Sequence, residues 1–148
     1  MEYRYLDKLR TEQKMEDVDS QYIMVPKFIL QPLVENCFTH GFKNCTKEFF
    51  LIRIFIGRES EGTIRIMIED NGNGFSEEDL KRIEKDRALI HESIVNPNAR
   101  FLNETTGVGL INTYARLLLQ YKEGVELSVG KGELGGGLVV ITCPEQTA

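Results

Sequence analysis

Asp70 is the residue whose placement makes the greatest demand on its surroundings. It closes the alternating run Thr63–Asp70 on the side shared by Ile64, Ile66 and Ile68, the row that must face a core, while Arg65 and Glu69 take the other side. A carboxylate at the end of an apolar row needs partners. The residues that follow, Asn71-Gly72-Asn73-Gly74, put two glycines where backbone can approach a ligand closely. An inward acid beside bare backbone suits a flat heterocycle with an exocyclic amino donor, such as adenine. The same residues also suit a plain turn in which Asp70 caps the backbone after it.

Two further groups could work with such an acid. In the apolar-periodic segment 26–44, Asn36, His40 and Lys43 share a narrow arc at about 100° per residue, away from Leu33 and Cys37. Asn36 offers an amide oxygen to a magnesium ion, and His40 and Lys43 can donate to phosphate; a merely solvated helix face would read the same way. The run Thr105-Thr106-Gly107-Val108-Gly109-Leu110 opens a strong helix with glycines, and free N–H groups at the positive end of a helix dipole bind anions. Alone it is a weak signal: it lacks the Gly-Lys-Ser/Thr ending of a P-loop, and no strand precedes it as in a dinucleotide fingerprint. Together the three groups describe a pocket for adenine, magnesium and phosphates.

The elements that must position them follow from hydrophobic periodicity. Residues 9–15 form a weak strand candidate. Residues 26–44 read as a helix through Leu30, Leu33, Val34, Cys37 and Phe38, with Pro32 marking a kink or the true start. Residues 50–57, with Ile52, Ile54 and Ile56 on one face, and Thr63–Asp70 read as an antiparallel hairpin around a short polar turn, 58–62. Ser76 is the expected N-cap of a short helix ending near Lys85, with Glu77, Glu78 and Asp79 in its first turn. Residues 86–106 show no clear period and are expected to form a long loop, the lid of the pocket together with the short helix. Gly109–Tyr121 is strongly amphipathic, with Gly124 as its stop, and strands 125–130 and 138–143 flank the glycine-rich turn 132–137. Helices on one face of a largely antiparallel sheet is the economical arrangement.

Composition narrows the function classes. With 148 residues, 41% hydrophobic and 28% charged, the chain is an ordinary single globular domain. Its net charge of −5 gives no general attraction to nucleic acid or anionic membrane, so phosphate must be bound by local donors. The three cysteines match no metal-ligand spacing and read as reduced thiols of a cytosolic protein. No apolar run approaches the ~20 residues that span a bilayer, so the piece is expected to be a cytoplasmic domain, of a parent that a membrane segment elsewhere would anchor. Of the two histidines, His40 reads as a nucleotide-facing donor or a solvated helix residue, and His91 as an exposed one.

The ordered motifs carry a resemblance. PKFILQPLVENCFTHG, DNGNG and GVGL look like the N, G1 and G2 boxes of the ATP-binding domain shared by histidine kinases, DNA gyrase, Hsp90 chaperones and mismatch-repair ATPases. The wording LQPLVEN…HG and GVGLINTYARLLLQY most resembles bacterial histidine kinases of the LytS/YesM type, and the match spans nearly the whole chain. The resemblance implies an α+β fold, a two-layer sandwich of the Bergerat type with helices on one face of a mixed, mainly antiparallel sheet. Residues 1–25 would be the end of an upstream linker plus the first strand, and residues 26–148 the ATP-binding catalytic domain. By the same resemblance Asn36 binds magnesium and Asp70 reads the adenine amino group, with Gly72 and Gly74 shaping the adenine side. Gly107 and Gly109 carry the lid hinge and phosphate contacts, with Leu110 and Asn112 nearby. Asn36 and His40 are the catalytic candidates. Lys43 and Glu35 complete the nucleotide-contacting set, although Glu35 points about 100° around the helix from Asn36. The implied ligands are ATP and Mg2+. The implied partners are a dimerisation domain bearing a phospho-acceptor histidine, and a response regulator.

The sequence departs from the pattern in three places. Thr39 stands where a phosphate-contacting Lys or Arg often lies, and Gly136-Gly137 stands where Gly-Thr is expected, removing a hydroxyl. No segment resembles the phospho-acceptor stretch, which is expected upstream of this chain. In the gyrase and Hsp90 branch a Glu one helical turn before the magnesium Asn activates water; here that position is Pro32, which favours phosphoryl transfer over an ATPase switch. A nucleotide-sensing module without catalysis is the third reading.

Overall fold

The computed structural model describes residues 9–15 (backbone course only), 29–60, 62–95 and 109–145. The elements in chain order are β1 (Leu9–Met15), α1 (Leu30–Asn36) continued by a π turn (Cys37–Gly41), β2 (Phe50–Ser60), β3 (Thr63–Asp70), α2 (Glu77–Val95), α3 (Gly109–Tyr121), β4 (Glu126–Lys131) and β5 (Gly137–Pro144). One five-stranded sheet has the order β1-β2-β3-β5-β4. β1 runs parallel to β2 and every other pair is antiparallel, so the sheet is mixed and mainly antiparallel.

One face of the sheet carries the core. Ile52, Ile64, Ile66, Ile68, Val139, Ile141 and Cys143 are buried with Leu33 of α1, Ile83 and Ile90 of α2, and Leu110, Ile111, Tyr114 and Leu118 of α3. This is the α+β two-layer arrangement, and the period-two rows of β2 and β3 set it up. The other face is unlike a plain solvated surface at Glu69, which is only 8% exposed. Arg53 Nη1 lies 3.0 Å from Glu69 Oε1, and the Glu133 N–H donates to Glu69 Oε2 at 3.1 Å. A Cβ on Gly132 would stand 2.6 Å from that oxygen. The carboxylate thus ties β2 and β3 to the β4–β5 turn.

β2 runs on to Ser60, into the turn expected at 58–62, and three further boundaries differ from the sequence expectation. The segment 26–44 is not one regular helix, and residues 26–28 lie outside the described residues. α1 gives way at Cys37 to a π turn closed by the Phe42 N–H on the Cys37 carbonyl at 2.9 Å. The chain then leaves the helix so that Phe42 can stack on Phe50, ring centroids 4.3 Å apart. Lys43 therefore sits in the following turn and not on the helical arc of Asn36 and His40. Pro32 is the third residue of α1, within the first turn, where its missing N–H costs no helical bond.

The second difference is α2, which runs to Val95 and not to Lys85. Leu80, Ile83, Ile90 and Ile94 make one stripe at spacings of three, seven and four, interrupted by Arg87 on the same side. The charged residue hid the period, so the stretch 86–95, expected as loop, is helix; residues 96–108 lie outside the described residues. The cap itself is as expected: the Asp79 N–H donates to Ser76 Oγ at 3.0 Å and the Ser76 N–H donates back to Asp79 Oδ2 at 3.1 Å. Third, α3 ends at Tyr121, and Lys122, with a φ of 65°, breaks the helix two residues before Gly124.

β3 reaches its end at Asp70, opposite Ile52, and Asn71 continues the pairing with its side chain. The Leu51 N–H donates to Asn71 Oδ1 at 2.8 Å, and Asn71 Nδ2 donates to the Phe49 carbonyl at 3.1 Å. Asn71→Ala removes both bonds, and is expected to destabilise the fold by about 1–2 kcal/mol. Urea unfolding measures this; a midpoint unchanged from wild type would show that water replaces the amide without loss.

Candidate functional site

The carboxylate of Asp70 sits at the junction of three segments: the π turn after α1, the loop 71–75 after β3, and the start of β5. It is 5% exposed. The Gly72 N–H donates to Oδ1 at 2.8 Å and the Gly137 N–H to the same oxygen at 3.3 Å. The buried Cys37 thiol donates instead to the Leu33 carbonyl of its own helix at 3.7 Å. Desolvation nevertheless raises the Asp70 pKa above the ordinary carboxylate value; hydrogen bonding, first from the Gly72 and Gly137 N–H groups, and the charge of His40 oppose it only in part.

Glycines make this geometry possible. A Cβ on Gly72 would stand 2.1 Å from the Gly41 carbonyl oxygen, and one on Gly41 would stand 2.8 Å from Asp70 Oδ2. A Cβ on Gly136 would meet the Asp70 backbone and Oδ1 at 2.5 Å. Gly74 has φ +77°, a left-handed conformation that strains other residues. The Asn73 N–H donates to the Gly41 carbonyl at 2.7 Å, and Asn73 Nδ2 to the Lys43 carbonyl at 2.6 Å, so the loop and the π turn are joined through backbone. Gly137, which replaces an expected Thr, has a local reason: a Cβ there would stand 2.9 Å from the Phe75 ring. The Phe75 ring occupies the space beside Gly137 and stacks on His40 at 5.0 Å.

Asn36, the last residue of α1, is 8% exposed, and among the described residues nothing hydrogen-bonds its amide. His40 follows one turn later. Its Nε2 lies 3.2 Å from Asp79 Oδ2, so α2 is drawn to the π turn by this contact and the Phe75 stack. Asp79 is held below the usual carboxylate range mainly by the Ser76 backbone N–H. Thr39, the first departure from the family pattern, donates its hydroxyl to the Glu35 carbonyl at 3.1 Å.

The structure thus brings Asp70, Gly72, Gly74 and His40 to one site, with Asn36 one turn before His40. Other expected members stand apart. Glu35 is exposed and accepts from Gln31 at 3.0 Å. Lys43 is exposed in its turn. Leu110 is fully buried in the core, so only its backbone is left to touch a ligand, while Asn112 is exposed on α3. Gly109 is the first residue of α3, and Gly107 lies outside the described residues. One contributor escaped the sequence reading, Gly41, which was visible only as the last letter of a motif.

The residues fit a purine and a phosphate-bound ion. Both backbone donors go to Asp70 Oδ1, so Oδ2 keeps acceptor capacity for an amino group, with the glycines Gly41 and Gly137 beside it. Among the described residues no group of three or more His, Cys, Asp or Glu side chains could hold a metal by itself. A magnesium ion here would have to take most of its ligands from phosphate and water, as magnesium commonly does.

A buried acid between α1 and a mainly antiparallel sheet, with glycine turns on either side, is the centre of this two-layer α+β sandwich. The chain belongs to the family described as histidine kinase-, DNA gyrase B-, and HSP90-like ATPases, which it matches over residues 25–147. It is 29% identical over 127 residues to the sensor histidine kinase YpdA of Escherichia coli, covering 84% of this chain and 19% of that protein. It is 27% identical over 149 residues to the sensor histidine kinase YesM of Bacillus subtilis, covering 96% of this chain and 22% of that one. The chain therefore spans about a fifth of the length of these relatives. Among solved structures, the blue-light activated histidine kinase of Erythrobacter litoralis EL346 aligns with a TM-score of 0.56 at 17% identity, over 93% of this chain and 35% of that one. The catalytic domain of the histidine kinase ThkA aligns with a TM-score of 0.52 at 17% identity, over 97% and 84%. At these identities the structures speak for the fold alone.

Proposed function

We propose that this chain is the ATP-binding catalytic domain of a sensor histidine kinase, holding Mg-ATP for γ-phosphoryl transfer to a histidine on a separate dimerisation domain. The observation that carries the reading is Asp70: a buried carboxylate whose Oδ1 accepts from two backbone N–H groups while Oδ2 lies beside Gly41 and Gly137. Asp70 would accept from the adenine amino group. The Asn36 amide would supply one oxygen to magnesium, which neutralises phosphate charge when bound. The N–H groups that open α3 would face the phosphates. Positioning and charge neutralisation make up most of phosphoryl-transfer catalysis, so a domain without a nucleophile of its own is sufficient for its share. A response regulator would receive the phosphoryl group next. No helix among the described residues is long and apolar enough to cross a membrane, so a membrane anchor of the parent would be a segment other than these helices.

The choice of transfer over hydrolysis rests on α1. Pro32 lies one turn before Asn36 and has no base, and Glu35 is turned outward to Gln31. The magnesium role is tested with Asn36→Ala. Loss of one ligand to the ion should cut the magnesium-dependent gain in ATP affinity about 5- to 10-fold, equal to roughly 1–1.4 kcal/mol, while adenosine binds as before. Isothermal titration with and without magnesium reads both. Equal losses for ATP and adenosine would make Asn36 a structural residue, and ATP binding in wild type that ignores magnesium would favour a nucleotide-sensing module without catalysis.

A further inference from the structure

We infer that Glu69 is a positioning residue for base recognition: from the outer face of the sheet it holds the β4–β5 turn where the Gly137 N–H meets the Asp70 carboxylate. The inference rests on the reading of Asp70 as the adenine acceptor. Glu69 and Asp70 are neighbours at the end of β3, and alternation sends their side chains to opposite faces. Both are buried, and both accept from the β4–β5 turn or the residue that ends it. The Glu133 N–H donates to Glu69 Oε2 at 3.1 Å, and the Gly137 N–H donates to Asp70 Oδ1 at 3.3 Å. A buried acid on the outward row is costly without such partners, and Arg53 Nη1 at 3.0 Å supplies the opposite charge.

The turn carries the hold from one acid to the other. The Gly132 N–H donates to the Gly136 carbonyl at 3.0 Å, and the Gly135 N–H donates to the Gly132 carbonyl at 3.2 Å. The Gly136 carbonyl and the Gly137 N–H belong to one planar peptide unit, so fixing the oxygen aims the N–H. A ring of contacts thus closes. Glu69 holds Glu133, the adjoining Gly132 holds the peptide between Gly136 and Gly137, and that peptide reaches Asp70. The packing leaves no slack: a Cβ on Gly132 would stand 2.6 Å from Glu69 Oε2, and one on Gly136 would stand 2.5 Å from the Asp70 backbone oxygen. Without the Gly137 bond, the backbone donor left to Asp70 is the Gly72 N–H of its own loop. The carboxylate could then turn about its terminal torsion, which is intrinsically broad.

The test compares ATP with inosine triphosphate, which carries an oxygen in place of the amino group. A net hydrogen bond of ordinary strength sets the scale: Glu69→Ala should weaken ATP binding about 3- to 10-fold and inosine triphosphate binding by less than about 2-fold. In the same variant, without nucleotide, the Gly137 amide should exchange with solvent about 5- to 10-fold faster relative to the Gly72 amide, as read by NMR. Gly132→Ala, whose Cβ would displace the Glu69 carboxylate, should reproduce both changes, and it stands in if Glu69→Ala does not fold. Arg53→Met removes the ion pair but not the Glu133 N–H. It should lower the melting temperature while the ATP preference stays within about 2-fold of wild type. A role in stability alone would move Arg53→Met and Glu69→Ala together and weaken both nucleotides equally. That pattern, an unchanged ATP preference, or an unchanged ratio of Gly137 to Gly72 exchange would each overturn the inference. Asp70→Asn is measured alongside. If it leaves the ATP preference unchanged, the adenine assignment itself falls, whatever the exchange ratio; if it removes the preference and Glu69→Ala does not, only the role of Glu69 falls.

Discussion

Asp70→Asn is expected to weaken ATP binding about 10- to 100-fold, the effect of losing one charge-assisted hydrogen bond of about 1.5–3 kcal/mol. The fold should survive, because asparagine can keep its oxygen at the Oδ1 position, where the Gly72 and Gly137 N–H groups donate. Its nitrogen then falls at Oδ2 and presents a donor to the amino donor of the base. Stability should move the other way from affinity. Burial holds the Asp70 pKa above its unfolded value, so ionisation is resisted by the folded state. The stability contributed by this group is present below the ordinary carboxylate pKa and is lost as pH rises through the raised one. The uncharged variant escapes that loss. Without nucleotide, Asp70→Asn should therefore match wild type in acid and equal or exceed it at neutral pH. Calorimetric titration reads the affinity, and urea melts across the pH range read the stability. Unchanged ATP affinity would remove the adenine assignment. A variant less stable than wild type at neutral pH would mean that the charge is needed to hold Gly72 and Gly137 in place.

The site and the fold were legible in the sequence to the degree that each residue acts through a local pattern. The hairpin could be read because Ile52, Ile54 and Ile56 and then Ile64, Ile66 and Ile68 alternate without interruption. Asp70 stood out for the same reason, being the one acid at the end of the inward row. α3 could be read from six apolar residues at helical spacing. The length of α2 could not, because Arg87 occupies a position in its apolar stripe and a charge there breaks the count. The π turn was illegible in principle: it differs from an α-helix by one residue per turn, and Phe42 stacking on Phe50, eight residues away, sets its end. Gly41 was passed over because a glycine counts as a stop. Only the sheet, by bringing Asp70 under α1, gives that residue its polar neighbour. Glu69 shows the same limit from the other side. Alternation assigns it to the outer face, yet Arg53 and the Glu133 N–H bury it there.

The second large effect concerns the chain acting alone. Transfer needs a nucleophile held in line about 3–3.5 Å from phosphorus, and that proximity is a major part of the rate. The chain has two histidines. His40 Nε2 faces Asp79 and its ring lies on Phe75, while His91 is exposed on α2. His40 is thus engaged on two sides, and His91 belongs to a different element from Asn36 and Asp70. Water has no general base one turn before Asn36, where Pro32 stands. The chain by itself should bind Mg-ATP but label itself and hydrolyse ATP more than about a thousandfold more slowly than the assembled kinase transfers, since correct placement of a nucleophile can supply larger factors than that. Adding the parent's dimerisation segment in trans should restore labelling on the histidine of that segment, at a rate that rises with segment concentration because docking is weak. A radiolabelled-ATP assay of the chain alone, with the segment, and with Asn36→Ala as control separates the outcomes. Acid-labile phosphate on the isolated chain that disappears in His40→Ala would place the acceptor inside this domain. Brisk release of inorganic phosphate without the segment would instead make the protein an ATPase switch of the gyrase kind, with a water-activating group other than the residue at position 32.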